Sequence, residues 1–569
     1  MTSPPAAAQA DDGFPTLLLG PLLRHVSPTS ATVWVETSAA CTARVLDTEV
    51  PTFMVAGHHY ALVVVRGLDP GSVTEYQVHL DGRREWPPAE SPFPPSAVRT
   101  PDVDGGAEVA FGSCRYAAPS ALAGLGGFGP DALDALARRL LTTEPARRPD
   151  LLLLLGDQVY ADETSRRTRR RIAERRGTHT QPYNEVADFE EYTWLYQESW
   201  SDPDLRWLFS TVPTAMIFDD HDVHDDWNTS GSWRVDAAET PWWGERIVGA
   251  LQSYWVYQHL GNLSPDQLDA EPTFAAIRAL PSGKDAEPLL RELARAADRE
   301  ADGAKGYRWS FRRDLGRTRL VVLDSRCGRI LDGDARAMLG AAEFAWLEQE
   351  LRGDYDHVLI GTSLPWLLAP ALHDIEAWDE RLAASRGPRR ARLGEKLRRA
   401  GDLEHWASFR ISFDRLADLL GRLASGRLGR PAPSSVSVLS GDVHHSYVAR
   451  VRWPTQVLHP DGSGPNASAV HQVTCSPLHN QVPSPMRFAF RVSWSRAAEI
   501  TARWVLGRLA DVPRPAIGWH RVGGGPWFGN AIATISLDGP GARLVIESSE
   551  QPPGTPALRV LASVDLTAE

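Results

Sequence analysis

The sequence predicts an all-β sandwich followed by a larger α/β domain with a layered core, on three observations. Over residues 15–103, short alternating or apolar stretches are separated by turn residues. From about residue 107, apolar strand candidates alternate with helical patterning. Four of those strand candidates run straight into clusters of side chains able to bind metal ions. At 569 residues the chain exceeds one typical domain, which suits a small unit joined to a large one. A hydrophobic fraction of 43% and a charged fraction of 23% are ordinary for a globular protein with an ample core.

In the first part, Ala31-Thr32-Val33-Trp34-Val35-Glu36 alternates as a strand does, and the run from Tyr60 to Val65 is more continuously apolar. Gly67-Leu68-Asp69-Pro70-Gly71 supplies turn chemistry before a further strand candidate, Thr74 to Leu80. This spacing suggests a sandwich of about seven strands. The phrase GLDPGSVTEYQVHL resembles a fibronectin type III or Ig-like domain, with Tyr76 where such domains keep a corner tyrosine. The module reads as a spacer, with a binding role as the second reading. Residues 1–14 read as a disordered tail, and Pro87 to Pro95 as a link that rejoins the module near Val98.

In the second part, the strand candidates are Val109 to Gly112, Leu151 to Leu155, Thr214 to Phe218, Leu320 to Leu323, Val358 to Ile360 and Val436 to Leu439. Helical spacing of apolar residues runs through 131–142, 342–352 and 412–424. The Arg- and Lys-rich stretch 372–400 reads as a solvated helical insertion. Residues 486–509 read as helical and amphipathic, and Ala531 to Leu537 with Ala542 to Glu547 as a closing hairpin. The domain is expected to span 107–550, with a tail over 551–569.

A net charge of -12 argues against nucleic acid as a dedicated partner, which needs a basic footprint. It permits a phosphorylated substrate, because bound cations reverse the local field. Apolar runs such as Leu151 to Leu155 are too short to span a bilayer. The N-terminus lacks the basic start and apolar stretch of a secretory signal, and four cysteines in so long a chain are no disulfide framework. The compartment is open on these grounds, with cytoplasm slightly ahead of an extracytoplasmic location. Nothing in the composition indicates an oligomeric state.

The four clusters are FGSCRY, LLLLLGDQVYAD, MIFDDHDVHDDW and VLSGDVHHSY. Loops directly after buried strands are anchored at one end, and sites in open α/β sheets gather there. Each cluster alone has a plain structural explanation. Cys114 suits a small buried position, Asp157 a turn, Asp219 to Asp226 a solvated loop, and Asp442 with His444 and His445 a strand-end hydrogen-bond pair. Together they point to metal ions, since like charges crowded behind MIF are costly unless cations neutralise them.

GDQVY is similar to the GDxxY motif of purple acid phosphatases. DDHD and GDVH stand where metallophosphoesterases carry Gly-Asn-His and Gly-His-x-His. With the cysteine of GSC and the tyrosine after GD, the sequence resembles the PhoD-like alkaline phosphatases and phosphodiesterases. Two departures are DDHD in place of the expected DDHE and the absence of a visible twin-arginine signal. The resemblance implies a four-layer αββα metallophosphoesterase sandwich and hydrolysis of small or polymeric phosphate esters, diesters slightly ahead of monoesters. It gives Cys114, Asp157, Tyr160 and His444 to one metal, iron as Fe3+. Asp157 then bridges to a second ion, calcium, held by Asp220 and Asp442, with magnesium or manganese as alternatives. Asp162, Asp219, Asp222 or Asp225 is a candidate for a further calcium. Thiolate, phenolate and imidazole suit a redox-capable trivalent ion, and an all-oxygen set suits the harder cations.

The expected chemistry is in-line attack by a metal-activated hydroxide. His221, between Asp220 and Asp222, is the candidate general acid, because neighbouring carboxylates keep an imidazole protonated. Arg115 and Arg326 are candidate phosphate binders, and Asp324 and Ser363 candidate supports behind the ligands. Residues 486–509 are expected to restrict substrate access. Two other readings stay open: a non-catalytic calcium-binding or surface-recognition protein, and a di-metal hydrolase of non-phosphate esters.

Overall fold

A computed structural model describes residues 13–117, 128–303, 306–331, 336–428, 431–454, 467–509, 512–550 and 556–567. Apart from Gly13 and Phe14, the tail expected over 1–14 lies outside the described residues.

The N-terminal module has one antiparallel sheet of Leu17–Ser27, Ser30–Thr37, His58–Arg66 and Phe53–Val55, and another of Thr48–Pro51, Thr42–Val45, Val78–Leu80 and Arg83–Trp86. Val33, Val35, Val63 and Val65 from the first share a core with Ala43, Val45, Val78 and Leu80 from the second, as the two-residue period of a strand dictates. The other face of the first sheet is buried too. Trp34, Tyr60 and Leu62 pack into the core of the larger domain. The contact is also polar: wholly buried Arg24 donates to the Gln258 carbonyl and to Asn262, and Arg206 donates to the Gly20 carbonyl. Tyr76 donates not to its own module but to the Ser210 carbonyl, 2.6 Å away. The module is therefore docked on the larger domain by a shared core, where the sequence suggested a spacer.

The larger domain carries a six-stranded sheet, in the order Thr214–Ile217, Leu151–Leu155, Ala107–Gly112, Ala531–Asp538, Gly541–Glu550 and Ala557–Asp565. The first three strands are parallel. Leu151–Leu155 is buried along its whole length, which explains a run of five leucines without alternation. A seven-stranded sheet has the order Phe311–Leu315, Thr318–Leu323, His357–Thr362, Ser435–Ser440, Ala469–Thr474, Ser446–Arg452 and Gly518–Trp527. Leu320, Val322, Leu359 and Leu439 on one of its faces join the core built on the first sheet. Val321, Leu323, Ile360 and Val438 on the other face join a second core with residues of helices Ala341–Glu350 and Arg410–Ala424.

The structure corrects two parts of the expected layout. The stretch 551–569 is not simply a tail, because Ala557–Asp565 pairs antiparallel with Gly541–Glu550 and closes the six-stranded sheet. The stretch 372–400 is not wholly solvated. It lies in two helices, Pro370–Ala383 and Pro388–Ala400, and the first buries His373, Asp374, Glu376 and Asp379. Neither carries the apolar periodicity that marks a buried element: the strand lies at the sheet edge and buries only Ala562, and the helix buries polar side chains.

Candidate metal centre

The four motif loops leave the carboxyl ends of Ala107–Gly112, Leu151–Leu155, Thr214–Ile217 and Ser435–Ser440, so both sheets contribute to one place. The loops are laced together by their backbones. Cys114 N–H donates to the Gly156 carbonyl, Arg115 N–H to the Asp157 carbonyl, and Asp442 N–H to Ser113 Oγ. Asp222 ties two loops further, accepting from the N–H groups of Asp157, Val159 and Asp219 and from Gln258. That engagement makes Asp222 a buttress of the motif loops.

Four of the expected ligands adopt the left-handed backbone region that side chains avoid: Cys114, Asp157, Asp442 and His444, with φ of 56°, 50°, 66° and 49°. Such positions cost about 1–3 kcal/mol each and concentrate at functional sites. The two glycines of the GD motifs have their own reason. A Cβ on Gly156, itself at a φ of 105°, would meet Asp219 Cβ at 2.6 Å. One on Gly441 would meet Ser113 Oγ at 2.0 Å and the Leu155 carbonyl at 2.9 Å. Gly441→Ala is therefore expected to destabilise the protein by about 1–3 kcal/mol. A lowered thermal midpoint checks this, and an unchanged one contradicts the close approach of the loops.

Donor atoms of Cys114, Asp157 and His444 lie within 4.8 Å of one another, as do those of Asp157, Asp219 and Asp220. Tyr160 adjoins the first group, its hydroxyl 3.5 Å from Asp157 Oδ2 and bonded by Asn480. Asp157 is thus common to both groups, as a bridging ligand must be. Asp442 belongs to neither group. Its Oδ2 is held by His405 at 2.9 Å, and its Oδ1 lies 3.6 Å from the Arg326 guanidinium.

The donor set fits a metal. Asp157 Oδ1 and Asp219 Oδ2 are buried oxygens without a hydrogen-bond partner. Burial, then repulsion from neighbouring acids, pushes the Asp157 carboxyl well above its usual range, and burial raises the Cys114 thiol and Tyr160 phenol likewise. Groups so placed hold either protons or cations. Burial lowers His444 to about 4, which leaves a neutral imidazole able to ligate.

His221 stands beside this set. Its Nδ1 is 3.0 Å from both Asp162 oxygens, and its ring lies 4.7 Å from the Tyr160 ring. Burial alone would lower its pKa, but the Asp162 carboxylate outweighs that and holds it well above the usual value. Asp162 is thereby engaged as the partner of His221 and of the Asp225 N–H.

The two arginines depart from expectation. Arg115 Nε bonds Asp131 at 2.7 Å and its Nη1 the Ser199 carbonyl at 2.8 Å, so it is an ion-pair member and not a free phosphate binder. Arg326 is wholly buried, with Nε on Asp219, Nη1 on Glu404 and Nη2 3.3 Å from Asp220. It neutralises the acidic loop itself.

A family model described as PhoD-like phosphatase matches residues 135–504, well over half of the chain. The chain belongs to the PhoD-like phosphatase family. A second model, described as a domain of unknown function (DUF7800), matches residues 14–98. A solved structure titled "Structure of PhoD" is similar over 99% of this chain and 94% of that one, with a TM-score of 0.55 and 13% identity. No curated protein matches. PhoD-like phosphatases are metal-dependent phosphoesterases, so this chain is a phosphatase-type hydrolase of phosphate esters.

Within the PhoD-like match lie Asp157, Tyr160, Asp220, His221, Asp442 and His444; Cys114 precedes it. Three groups that the motifs did not reveal complete the surroundings. His405 joins Asp442 to Glu376, at 2.9 and 2.7 Å, from two separate segments. Glu404 pairs with Arg326 and Arg329, and Asn480 holds Tyr160. Ser363 donates to Asp219, and Asp324 accepts three backbone N–H groups around Arg326, which fits the supporting roles expected of both.

Proposed function

We propose that this PhoD-like protein hydrolyses phosphate diesters in preference to monoesters, with His221 as the general acid. The observation that carries the hydrolytic reading is the Asp162–His221 pair set beside Asp157, whose donor atoms are common to both groups. The preference for diesters rests on the family resemblance. We assign iron to Cys114, Asp157, Tyr160 and His444, and calcium to Asp157, Asp220 and Asp442, with Asp219 as an added ligand. When bound, these ions supply Lewis-acid charge to the phosphoryl oxygens and a hydroxide nucleophile.

The chain's own residues do the rest. Asp162 fixes the Nδ1 proton of His221, which leaves Nε2 to carry the proton the leaving oxygen needs. Arg326 and His405 offset the charge of Asp219, Asp220 and Asp442, so the acidic loops hold their positions. Phe490 stacks on His445 and Trp494 packs on Tyr447, which stations the C-terminal helices over the GDVH loop, where they narrow access for bulky esters. In this reading the domain is a four-layer αββα sandwich and the module is fibronectin-like.

A side-by-side measurement of kcat/KM on nitrophenyl diesters and monoesters tests the preference; faster monoester turnover would overturn it. The ligand set makes a separate prediction. Charge transfer from Tyr160 to a ferric ion should colour the purified protein, and Tyr160→Phe should shift or bleach that band. A colourless wild type with stoichiometric zinc contradicts the assignment of iron.

A further inference from the structure

The outer face of the C-terminal helix pair differs from the rest of the surface. On helix Ser484–Ser493, Phe488 and Val492 lie one turn apart and are 70% and 43% exposed. On helix Arg496–Leu509, Ile500 and Trp504 repeat that spacing at 58% and 59% exposed. Helical geometry sets each pair on one face, and in each case that face is turned to water. These helices carry five arginines, Arg487, Arg491, Arg496, Arg503 and Arg508, against one acid, Glu499, in a chain of net charge -12.

Arg508 lies 5.1 Å from the Trp504 ring at this face, whereas Arg491 lies 5.0 Å from the ring of Phe528, which itself stacks on His445 on the seated side. Beside Trp504 a cavity of about 410 Å³ is lined by Arg503, Arg508 and Arg514, with Asp374 as its one acid among the lining residues. The opposite side of the pair is seated on the protein. Phe490 stacks on His445 with ring centroids 4.4 Å apart, next to the candidate ligand His444. No helix among the described residues is long and apolar enough to cross a membrane.

We propose that this helix pair docks the protein on an anionic phospholipid surface, with Phe488, Val492, Ile500 and Trp504 entering the interface and the arginines meeting headgroup phosphates. Exposed aromatic and aliphatic side chains flanked by arginine on a surface helix are the pattern that binds interfaces without spanning them. In the cavity beside Trp504, Arg503 is paired with Asp374 and Glu499, which leaves Arg508 and Arg514 as the guanidinium groups for a phosphate oxygen. A second copy is the weaker occupant, because a two-fold contact through this face would set arginines against arginines. Docking of this kind would bring the GDVH loop close to the membrane.

Flotation of the full-length protein with vesicles tests this without reference to turnover. Vesicles of phosphatidylcholine with an equal share of phosphatidylglycerol should carry the protein, those of phosphatidylcholine alone should not, and salt should weaken the binding. A Phe488→Ser, Ile500→Ser, Trp504→Ser variant should be released. An Arg496→Glu, Arg508→Glu variant should bind on the order of a hundredfold more weakly. Nitrophenyl ester turnover in solution should stay at the wild-type level in the charge variant, which guards against misfolding. Absence of binding to the anionic vesicles, or equal binding by both variants, overturns the proposal. Self-association lost in the apolar variant, without vesicle binding, assigns the face to a second copy and overturns it equally.

Discussion

Asp157→Ala is expected to remove bound metal and turnover together. Asp157 is the residue whose donor atoms belong to both ligand groups, with Cys114 and His444 on one side and with Asp219 and Asp220 on the other. It is buried, and one of its oxygens has no hydrogen-bond partner in the protein. Its loop does not depend on that side chain, since the Asp157 N–H is held by Asp222 and its carbonyl by Arg115 N–H. The variant should therefore fold, with near-wild-type circular dichroism, while elemental analysis finds both sites depleted. Asp157→Asn is the sharper control, because asparagine tolerates a positive φ but lacks the anionic charge. Retention of metal and activity by both variants would remove Asp157 from the centre.

The second large effect concerns His221, and it depends on the leaving group. A nitrophenolate departs readily, whereas an alkoxide needs a proton. General acid catalysis contributes about 10²–10⁴-fold, so His221→Ala should lose on that order for alkyl esters and much less for nitrophenyl esters. Metal content should stay near wild type, because His221 Nδ1 is bonded to Asp162 and not directed at the ligand groups. Asp162→Asn should reproduce part of the loss for alkyl esters through the same imidazole. Equal losses for both leaving groups, with metal lost as well, would make His221 a ligand.

The strands and the candidate ligand clusters are legible in sequence because the candidate groups lie within a few residues of each strand end. Leu151 to Leu155 and the GD dipeptide after it form one local signal, and so do Ser435 to Ser440 with GDVH. Residues that act from a distance were not legible. His405 reaches Asp442 from just before a 3-10 turn, and Glu376 holds that imidazole from a helix in a stretch that composition marked as solvated. Asn480 lies more than three hundred residues from Tyr160, which it bonds. The same limit explains the arginines, since only the fold shows that Asp131 holds Arg115 and that four acids surround Arg326. Docking of the N-terminal module was hidden likewise. Trp34 and Tyr60 read as strand residues, but only tertiary contact shows that they pack, tilted and edge-on, against Tyr257 of the larger domain.

The central claim is that Cys114, Asp157, Tyr160 and His444 hold a metal on which phosphodiester hydrolysis depends. Elemental analysis of the purified protein, paired with nitrophenyl diester turnover before and after chelation, tests it most directly. The expected result is stoichiometric iron with calcium, loss of turnover as the metals leave, and recovery on adding both back. Full diester turnover by protein free of iron and calcium would contradict it.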